Sequence, residues 1–196
     1  MVVDIDMHYF IFILMINSVR SQTIYQSLTV LSDPGLEYIP VNIPRQLITT
    51  IVVNSWKLCA HECLNNPLCG VFDYGNIEPN LCILLEGNVD ILGIIQTSGV
   101  ADSLVGTIQL SPSLFTQYGQ SCVSTCLESR YLTCSPTLIC ECISHMYWNS
   151  TASMCLPKMN FNGAPCDPTM NMCRQDLGLQ CSALNQCSGK EYSYIT

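Results

Sequence analysis

The chain has 196 residues, of which 14 are cysteine and only 11% carry a charged side chain. Its formal net charge is −8 at pH 7, and its seven lysine and arginine residues do not cluster. This balance excludes the basic surface that binds nucleic acid and the polybasic segment that binds anionic membranes.

The N-terminal segment is typical of a secretory signal peptide. Residues 8–16 form a continuous apolar run, which is shorter than the stretch of about 20 residues that spans a bilayer but suits the apolar region of a signal. Val19 and Ser21 are small enough to flank a cleavage site. We therefore predict a signal peptide over residues 1–21 and a mature N-terminus at Gln22.

The first residues depart from this pattern, because Asp4 and Asp6 are acidic where a signal normally carries positive charge. Translation from Met7 would remove both, so Met1 and Met7 are both candidate start residues. The alternative interpretation of the apolar run is a buried strand or helix. No second segment is apolar throughout, and an even number of cysteines is typical of secreted proteins. We expect an extracellular protein with no membrane span after signal cleavage.

Cysteine spacing divides the mature chain into two parts. Four cysteines lie in residues 22–112 and ten in residues 119–196, with a predicted linker at 113–118 between them. The first part has apolar runs that can bury a core. The second part is cysteine-dense and poor in such runs, so it needs covalent cross-links in place of a large core.

The first part contains a helix signal followed by strand signals. Ser55 can cap a helix that starts at Trp56, and Cys59 and Cys63, four residues apart, would share its core-facing side. Pro67 lies just beyond the expected end of the helix. Strands are predicted at residues 49–53, 70–75, 82–85 and 105–110. The predicted fold class is therefore α+β, with one helix on a small, mostly antiparallel sheet.

The cysteines of this part follow a distinctive order. They are Cys59, Cys63, Cys69 and Cys82, with Phe72 and Tyr74 on an intervening strand. The pattern resembles the PAN/apple domain over about residues 24–112, in its minimal four-cysteine form. The resemblance implies the disulfides Cys59–Cys82 and Cys63–Cys69, whereas four cysteines by themselves allow three pairings. Members of this family are extracellular, non-catalytic modules that bind proteins or glycans.

The second part contains an internal repeat. The sequence from Gly119 to Cys122 aligns with that from Gly163 to Cys166. The next three cysteines have identical intervals in both copies: Cys126, Cys134 and Cys140 in the first, and Cys173, Cys181 and Cys187 in the second. Cys142 and Cys155 are both missing from the second copy, and two residues lost together most simply pair with each other. We therefore divide this part into unit 1, residues 119–162, and a shorter unit 2, residues 163–196.

Unit 1 closes with Cys140 and Cys142, then an aromatic segment at 146–148, and then Cys155. This arrangement resembles an EGF-like or EB-type module. The resemblance implies that the first cysteine pairs with the third, the second with the fourth and the fifth with the sixth, although six cysteines by themselves allow 15 connectivities. The implied bridges are Cys122–Cys134, Cys126–Cys140, Cys142–Cys155, Cys166–Cys181 and Cys173–Cys187.

The sequence offers no evident catalytic, cofactor-binding or metal-binding set. Cys140 and Cys142 are too close for a zinc-binding pair, and residues 117–121, which precede unit 1's first cysteine, contain no carboxylate for calcium. Neither His61 nor His145 has an evident nucleophile beside it, so we expect both to be solvated or packed. The scattered acidic residues of the first part are expected at the solvated surface: Asp33, Glu37, Asp73, Glu78, Glu86 and Asp90.

Asn149 begins the only N-glycosylation sequon of the mature chain. It lies between Cys142 and Cys155, so we expect an exposed, glycosylated loop. Nearby and terminal aromatic residues suit either a binding surface or the packing of a small disulfide-rich domain. These aromatic residues are Tyr118, Tyr147, Trp148, Tyr192 and Tyr194.

These features predict a secreted, non-catalytic protein that binds an extracellular protein or glycan in adhesion, matrix or surface recognition. The acidic balance makes heparin-like polyanions poor ligands. The alternative is a secreted cysteine-rich protease inhibitor or effector. An inhibitor would present a rigid exposed loop between neighbouring disulfides, such as residues 156–165.

Overall fold

The computed structural model describes residues 28–75, 78–89, 91–123, 126 and 131–189. The predicted signal peptide, residues 1–21, lies outside these residues, and so does the C-terminal segment 190–196. Within the described ranges, no helix has both the length and the apolar character needed to cross a lipid bilayer.

The described residues form mostly short strands. The two α-helices are α1, Ile43–Gln46, and α2, Trp56–Asn65. The strands of the N-terminal region are β1 Leu28–Leu31, β2 Leu36–Pro40, β3 Leu47–Val52, β4 Val71–Tyr74, β5 Leu81–Leu85, β6 Gly93–Thr97 and β7 Leu104–Gln109. The strands of the two units are β8 Leu132–Cys134, β9 Cys140–Cys142, β10 Met146–Asn149, β11 Met154–Pro157, β12 Gln180–Cys181 and β13 Cys187–Ser188.

Five strands form one antiparallel sheet in the order β1-β7-β4-β5-β3. Helix α2 packs on one face of this sheet, where Phe72 is buried. The other face, with Val71 and Leu85, packs against the two-stranded ladder of β2 and β6. Alternate side chains of β4 and β5 therefore enter two separate cores. A small, disulfide-rich α+β fold is confirmed.

Helix α2 follows the sequence prediction closely. The Ser55 hydroxyl accepts a hydrogen bond from the backbone N–H of Leu58 at 3.4 Å and caps the first turn. Cys59, Ala60 and Cys63 are buried on the side that faces the sheet. The helix ends before Pro67, as the missing N–H of proline requires.

The centre of the main sheet depends on a glycine. Gly106 in β7 lies directly opposite Phe72 in β4. A Cβ atom at Gly106 would lie 2.0 Å from the Phe72 ring, so only a residue without a side chain leaves room for it. The buried ring then contacts the core beneath α2.

All fourteen cysteines form disulfides, with Cα–Cα distances from 5.2 to 5.9 Å. The structure joins the same pairs that the two family resemblances imply. They are Cys59–Cys82, Cys63–Cys69, Cys122–Cys134, Cys126–Cys140, Cys142–Cys155, Cys166–Cys181 and Cys173–Cys187. Two of these bridges tie α2 to the chain that follows it, as the sequence predicts.

Units 1 and 2 repeat one hairpin, β8–β9 in the first and β12–β13 in the second. The N–H of Gly119 donates to the carbonyl of Cys140 at 2.8 Å, and the N–H of Gly163 donates to that of Cys187 at the same distance. Both glycines have positive φ, which side chains disfavour. The aligned glycines of the repeat thus make the same turn.

The position of Cys142 in the repeat is occupied in unit 2 by Gly189. A Cβ at Gly189 would lie 2.5 Å from the carbonyl oxygen of Gly178, so the site has no room for a cysteine side chain. In unit 1, Cys142 bonds to Cys155. Close backbone packing therefore replaces the third disulfide in unit 2.

The predicted linker, residues 113–118, is packed against unit 1. A 3-10 helix, Pro112–Phe115, begins it, and the Phe115 ring is buried 5.9 Å from that of Tyr131. The core beneath α2 continues through Phe115 and Met146 into unit 1. The N-terminal region and unit 1 therefore share one core.

Unit 2 also packs on the N-terminal region. Leu92, in the turn before β6, is fully buried against Ala164 and Leu179 of unit 2 and against Met159 at the end of unit 1. Because unit 2 has few large apolar residues of its own, this leucine supplies the centre of its core.

Candidate functional site

An exposed pair of isoleucines lies on the outer face of the β2–β6 ladder. Ile39 and Ile94 are directly opposite in the ladder, and their residues are 38% and 54% exposed. Side chains of directly opposed residues lie on the same face of an antiparallel pair. The next pair, Tyr38 and Ile95, points the other way, toward the main sheet. The ladder thus buries one row of side chains and leaves the isoleucines in water.

The exposed apolar surface continues along the chain beyond β2. Val41 and Ile43 are 53% and 58% exposed. The N–H of Val41 donates to the carbonyl of Leu92 at 3.0 Å, which extends the ladder by one residue toward unit 2. We call Ile39, Val41, Ile43 and Ile94 the apolar patch. Clustered exposed apolar side chains of this kind mark interaction sites on soluble proteins.

The sequence does not predict this patch, because no strand is predicted at residues 36–40 or 93–97. A signal was present: Leu36 and Tyr38 alternate with Glu37 and Ile39, the period of a half-buried strand. In a half-buried strand the apolar side chains normally face the core and the polar ones face water, but Ile39 is apolar and exposed. Only the pairing of β2 with β6 shows which row of side chains faces water.

Arg174 of unit 2 joins the N-terminal region through buried charge. Its Nη1 donates to the Glu86 carboxylate, while Nε and Nη2 donate to Asp176 at 2.7 and 2.6 Å. Burial raises the pKa of Glu86, and the guanidinium acts in the opposite direction. The hydrogen bond from Arg174 lowers the pKa of Asp176. The network joins unit 2 to Glu86, the residue that directly follows β5.

The expectation that the acidic residues are solvated is wrong for Glu86 and Asp73. Asp73 is buried in β4, and its Oδ2 accepts from the backbone N–H of Tyr38 at 3.2 Å. Asp33 and Glu78 are exposed, Glu37 is half-buried, and Asp90 lies outside the described residues. The sequence around a single acidic residue does not show which hydrogen-bond donor contacts it after folding. The burial of Asp73 and Glu86 therefore could not be predicted from residue spacing.

A small cleft separates the N-terminal region from unit 1. Pro67, Gly70, Glu86, Tyr131 and His145 are among its lining residues. Its cavity volume of about 30 Å³ holds only about two water molecules.

The two histidines lie in different surroundings. Burial and the nearby Arg174 lower the pKa of His145 to about 4, so its ring is neutral at pH 7. His61, on α2, is partly exposed and lies 3.1 Å from the Asn65 amide nitrogen. His145 is therefore packed and His61 is partly solvated, and these are the two kinds of surroundings expected for the histidines from the sequence.

Two cysteine clusters bring sulfur atoms close together. The sulfurs of Cys122, Cys126 and Cys140 lie within 4.8 Å of one another, as do those of the aligned trio Cys166, Cys173 and Cys187. All six belong to disulfides, so they carry no thiolate, the form that ligates a metal. The clusters reflect adjacent disulfides in each unit.

The sequon lies at the tip of a hairpin. Asn149 is the last residue of β10 and is paired with Met154 of β11. Its Oδ1 accepts a hydrogen bond from the backbone N–H of Ala152 at 2.9 Å. Ser150 and Thr151 are exposed in the turn, as expected for this loop.

The aromatic residues near the sequon are engaged with one another. The rings of Tyr118 and Trp148 stack with centroids 3.7 Å apart and planes 3° from parallel, and Tyr147 is buried. Tyr192 and Tyr194 lie outside the described residues. Among the residues that are described, every large exposed apolar side chain is aliphatic. The aromatic rings near the sequon therefore serve packing.

Residues 156–165, the segment suggested for an inhibitor loop, are partly buried. Lys158, Met159, Asn160 and Ala164 are all buried. The loop packs against unit 2, where the N–H of Met159 donates to the carbonyl of Met172 at 2.7 Å. The segment is therefore exposed only in part, with Asn162, Gly163 and Pro165 in contact with solvent.

Comparison of the chain with protein-family models and with curated protein sequences gives no match. The resemblances to the PAN/apple domain and to EGF-like or EB-type modules rest on cysteine order and strand pattern, and they stay predictions.

Proposed function

We propose that this chain is a secreted, non-catalytic binding protein that docks an extracellular protein through the apolar patch. In this proposal the N-terminal region is a PAN-like module and the two units are EGF-like or EB-type. The observation that carries the proposal is the exposed pair Ile39 and Ile94, continued by Val41 and Ile43. Seven disulfides support an oxidising, extracellular compartment.

The chemistry of the patch favours a protein over a glycan. A sugar surface consists largely of hydroxyl groups, which lose hydrogen bonds to water on binding and need new partners. The four aliphatic side chains of the patch offer none. Protein interfaces, in contrast, have an apolar centre with a polar rim. Glu37 and Gln96, hydrogen-bonded to each other at 3.2 Å across the same ladder, supply part of such a rim.

The patch rests on a rigid frame. The ladder beneath Ile39 is anchored on one side by buried Tyr38, and its far end is anchored by Leu92 in the core of unit 2. A surface that is already ordered loses little conformational entropy when a partner binds. The apolar patch is therefore suited to binding without rearrangement.

A protease inhibitor has less support. Such a protein presents one exposed, rigid loop to the active-site cleft of a protease. The segment between neighbouring disulfides that could form this loop, residues 156–165, is buried at Lys158 and Asn160. The apolar patch instead lies on a ladder face, which suits a broad partner surface.

The test uses the full, oxidised chain on two arrays, one of recombinant extracellular protein domains and one of glycans. The double variant Ile39→Glu/Ile94→Glu is compared with Leu184→Glu, which places the same charge on a residue that is also exposed but lies in unit 2. We expect protein-domain binding that is lost in the double variant and kept in the control. Because each buried charge would cost several kcal/mol, the loss is expected to exceed about tenfold.

Binding to glycans alone would contradict the proposal, as would protein binding that survives in the double variant or an absence of binding on both arrays. A non-reducing peptide map of each variant checks that the seven disulfides are unchanged.

A further inference from the structure

We infer that glycosylation of Asn149 and closure of the Cys142–Cys155 disulfide compete, so that the glycan is added only before this bridge forms. The inference rests on the secretion that the proposed function includes. It concerns the order of two covalent events at one hairpin, β10–β11.

The folded hairpin holds the Asn149 side chain in place. Asn149 pairs with Met154, so the chain reverses direction within residues 150–153. Ser153 adopts a positive φ in this turn, and Asn149 Oδ1 accepts from the N–H of Ala152 at 2.9 Å. The sequon is therefore bent into a tight turn and its amide group is already bonded to the backbone.

The disulfide fixes this turn from the adjacent residue. Cys155 lies directly opposite Trp148, the neighbour of Asn149, and its bond to Cys142 ties β11 to β9. The other side of Trp148 is held by its stack on Tyr118. Cys155 itself is fully buried. Once the bridge closes, the hairpin can open only by breaking several contacts together.

The transfer reaction requires a different conformation. A membrane oligosaccharyltransferase joins the Asn149 side-chain nitrogen, Nδ2, to the first sugar carbon of a lipid-diphosphate donor. The new carbon–nitrogen bond forms as the carbon–oxygen bond to the diphosphate breaks. Nδ2 loses one proton and the lipid diphosphate leaves. The enzyme must grip Asn149 and Thr151 together as an accessible segment, which the closed turn prevents.

The finished glycan is nevertheless compatible with the folded hairpin. The turn uses the oxygen of the Asn149 amide, whereas the sugar is attached to the nitrogen. A glycosylated asparagine keeps its carbonyl oxygen and can still accept from Ala152. Addition before folding therefore leaves the hairpin free to form, and the order of events decides the fraction of chains that carry the glycan.

The test measures glycan occupancy at Asn149 by peptide mass spectrometry after expression of the full chain in cultured animal cells. Protein is taken from both cells and medium, so that a variant that is poorly released is still measured. Cys142→Ser/Cys155→Ser removes the competing bridge, and Cys166→Ser/Cys181→Ser is the matched control, since it removes a bridge of unit 2. Thr151→Ala removes the sequon and gives the mass-spectrometric signal of an unglycosylated Asn149.

We expect partial occupancy in the wild type, higher occupancy in the first pair variant and wild-type occupancy in the control pair. Brief treatment of wild-type cells with dithiothreitol during synthesis should raise occupancy in the same way, without any substitution. Equal occupancy in the wild type and Cys142→Ser/Cys155→Ser, or an equal rise in the control pair, would overturn the inference.

The outcomes separate this inference from the proposed function. A chain that keeps residues 1–21 and carries no glycan in any variant overturns both secretion and the inference. A processed chain with equal occupancy overturns the inference alone. Binding through the apolar patch is read from the arrays and does not depend on the glycan.

Discussion

Arg174 donates a hydrogen bond to Glu86 across 88 positions of sequence, and both side chains are less than a tenth exposed. The same guanidinium also holds Asp176, whose side chain is more than half exposed. One cation thus balances a buried and a solvated carboxylate. This pairing, together with Leu92, attaches unit 2 to the strand region that carries the apolar patch.

Removing the arginine should strongly destabilise the protein. In Arg174→Met, Glu86 keeps its burial and loses its cation, so we expect the free energy of unfolding to fall by about 3 kcal/mol. Asp176→Asn is the control, because the exposed partner of the same guanidinium should contribute less than about 1 kcal/mol. Denaturant unfolding of the oxidised proteins measures both, and equal losses would contradict the buried pair.

His145 should make stability depend on pH. Its pKa falls from 6.5 to about 4 in the folded protein, through burial first and then Arg174 and Lys158, against the opposing effects of the Pro67 carbonyl and Asp176. Because the unfolded chain takes up the proton at a higher pH, stability is full above about pH 6.5 and falls as the pH drops toward about 4.

The variant His145→Gln should lose this component. Between pH 6 and 4.5, we expect its unfolding free energy to change with pH less steeply than that of the wild type, by up to about 1.4 kcal/mol per pH unit. Unfolding curves at several pH values measure the difference, and identical slopes in the two proteins would rule it out.

Leu92 should be essential to the attachment of unit 2. Leu92→Ala empties the centre of a small core, and we expect a loss of about 3 kcal/mol in unfolding free energy. Ile94→Ala, two residues away and exposed, should change it by less than about 0.5 kcal/mol. Hydrogen exchange should also show faster exchange of unit 2 amides in the first variant only. Unchanged exchange there would mean that unit 2 holds its fold without Leu92.

Gly106 should tolerate no side chain. Gly106→Ala places a methyl group against the Phe72 ring, and we expect a loss of about 2–3 kcal/mol from overpacking. Gly99→Ala is the control, because a Cβ there meets nothing within 4 Å. Thermal unfolding of the two variants compares them directly. A melting temperature for Gly106→Ala equal to that of Gly99→Ala would contradict the packing described for β4 and β7.

Local signals were sufficient for helix α2 and for strands β3, β4, β5 and β7. The Ser55 cap, the spacing of Cys59 and Cys63, and the proline that follows α2 all act within a few residues, so sequence alone predicts the helix. The repeat was equally readable, because identical cysteine intervals produce identical hairpins.

Contacts between distant segments were not readable. Neither Leu92 nor Glu86 differs in sequence from an ordinary surface-loop residue, and their partners lie in unit 2. The apolar patch was missed for a related reason, since Ile39 is exposed only because Tyr38 and the ladder settle which row turns inward. Burial of this kind depends on contacts between segments that are far apart in the sequence. The local periodicity of apolar residues does not report such contacts.

We propose secretion of this chain, and the seven disulfides of its structure support that proposal. The most direct test is a non-reducing peptide map, by mass spectrometry, of the full chain released from cultured animal cells. We expect a mature N-terminus at Gln22, no free thiols and the seven pairs of the structure, with Cys59–Cys82 and Cys142–Cys155 among them. A retained N-terminal segment with free cysteines would contradict it.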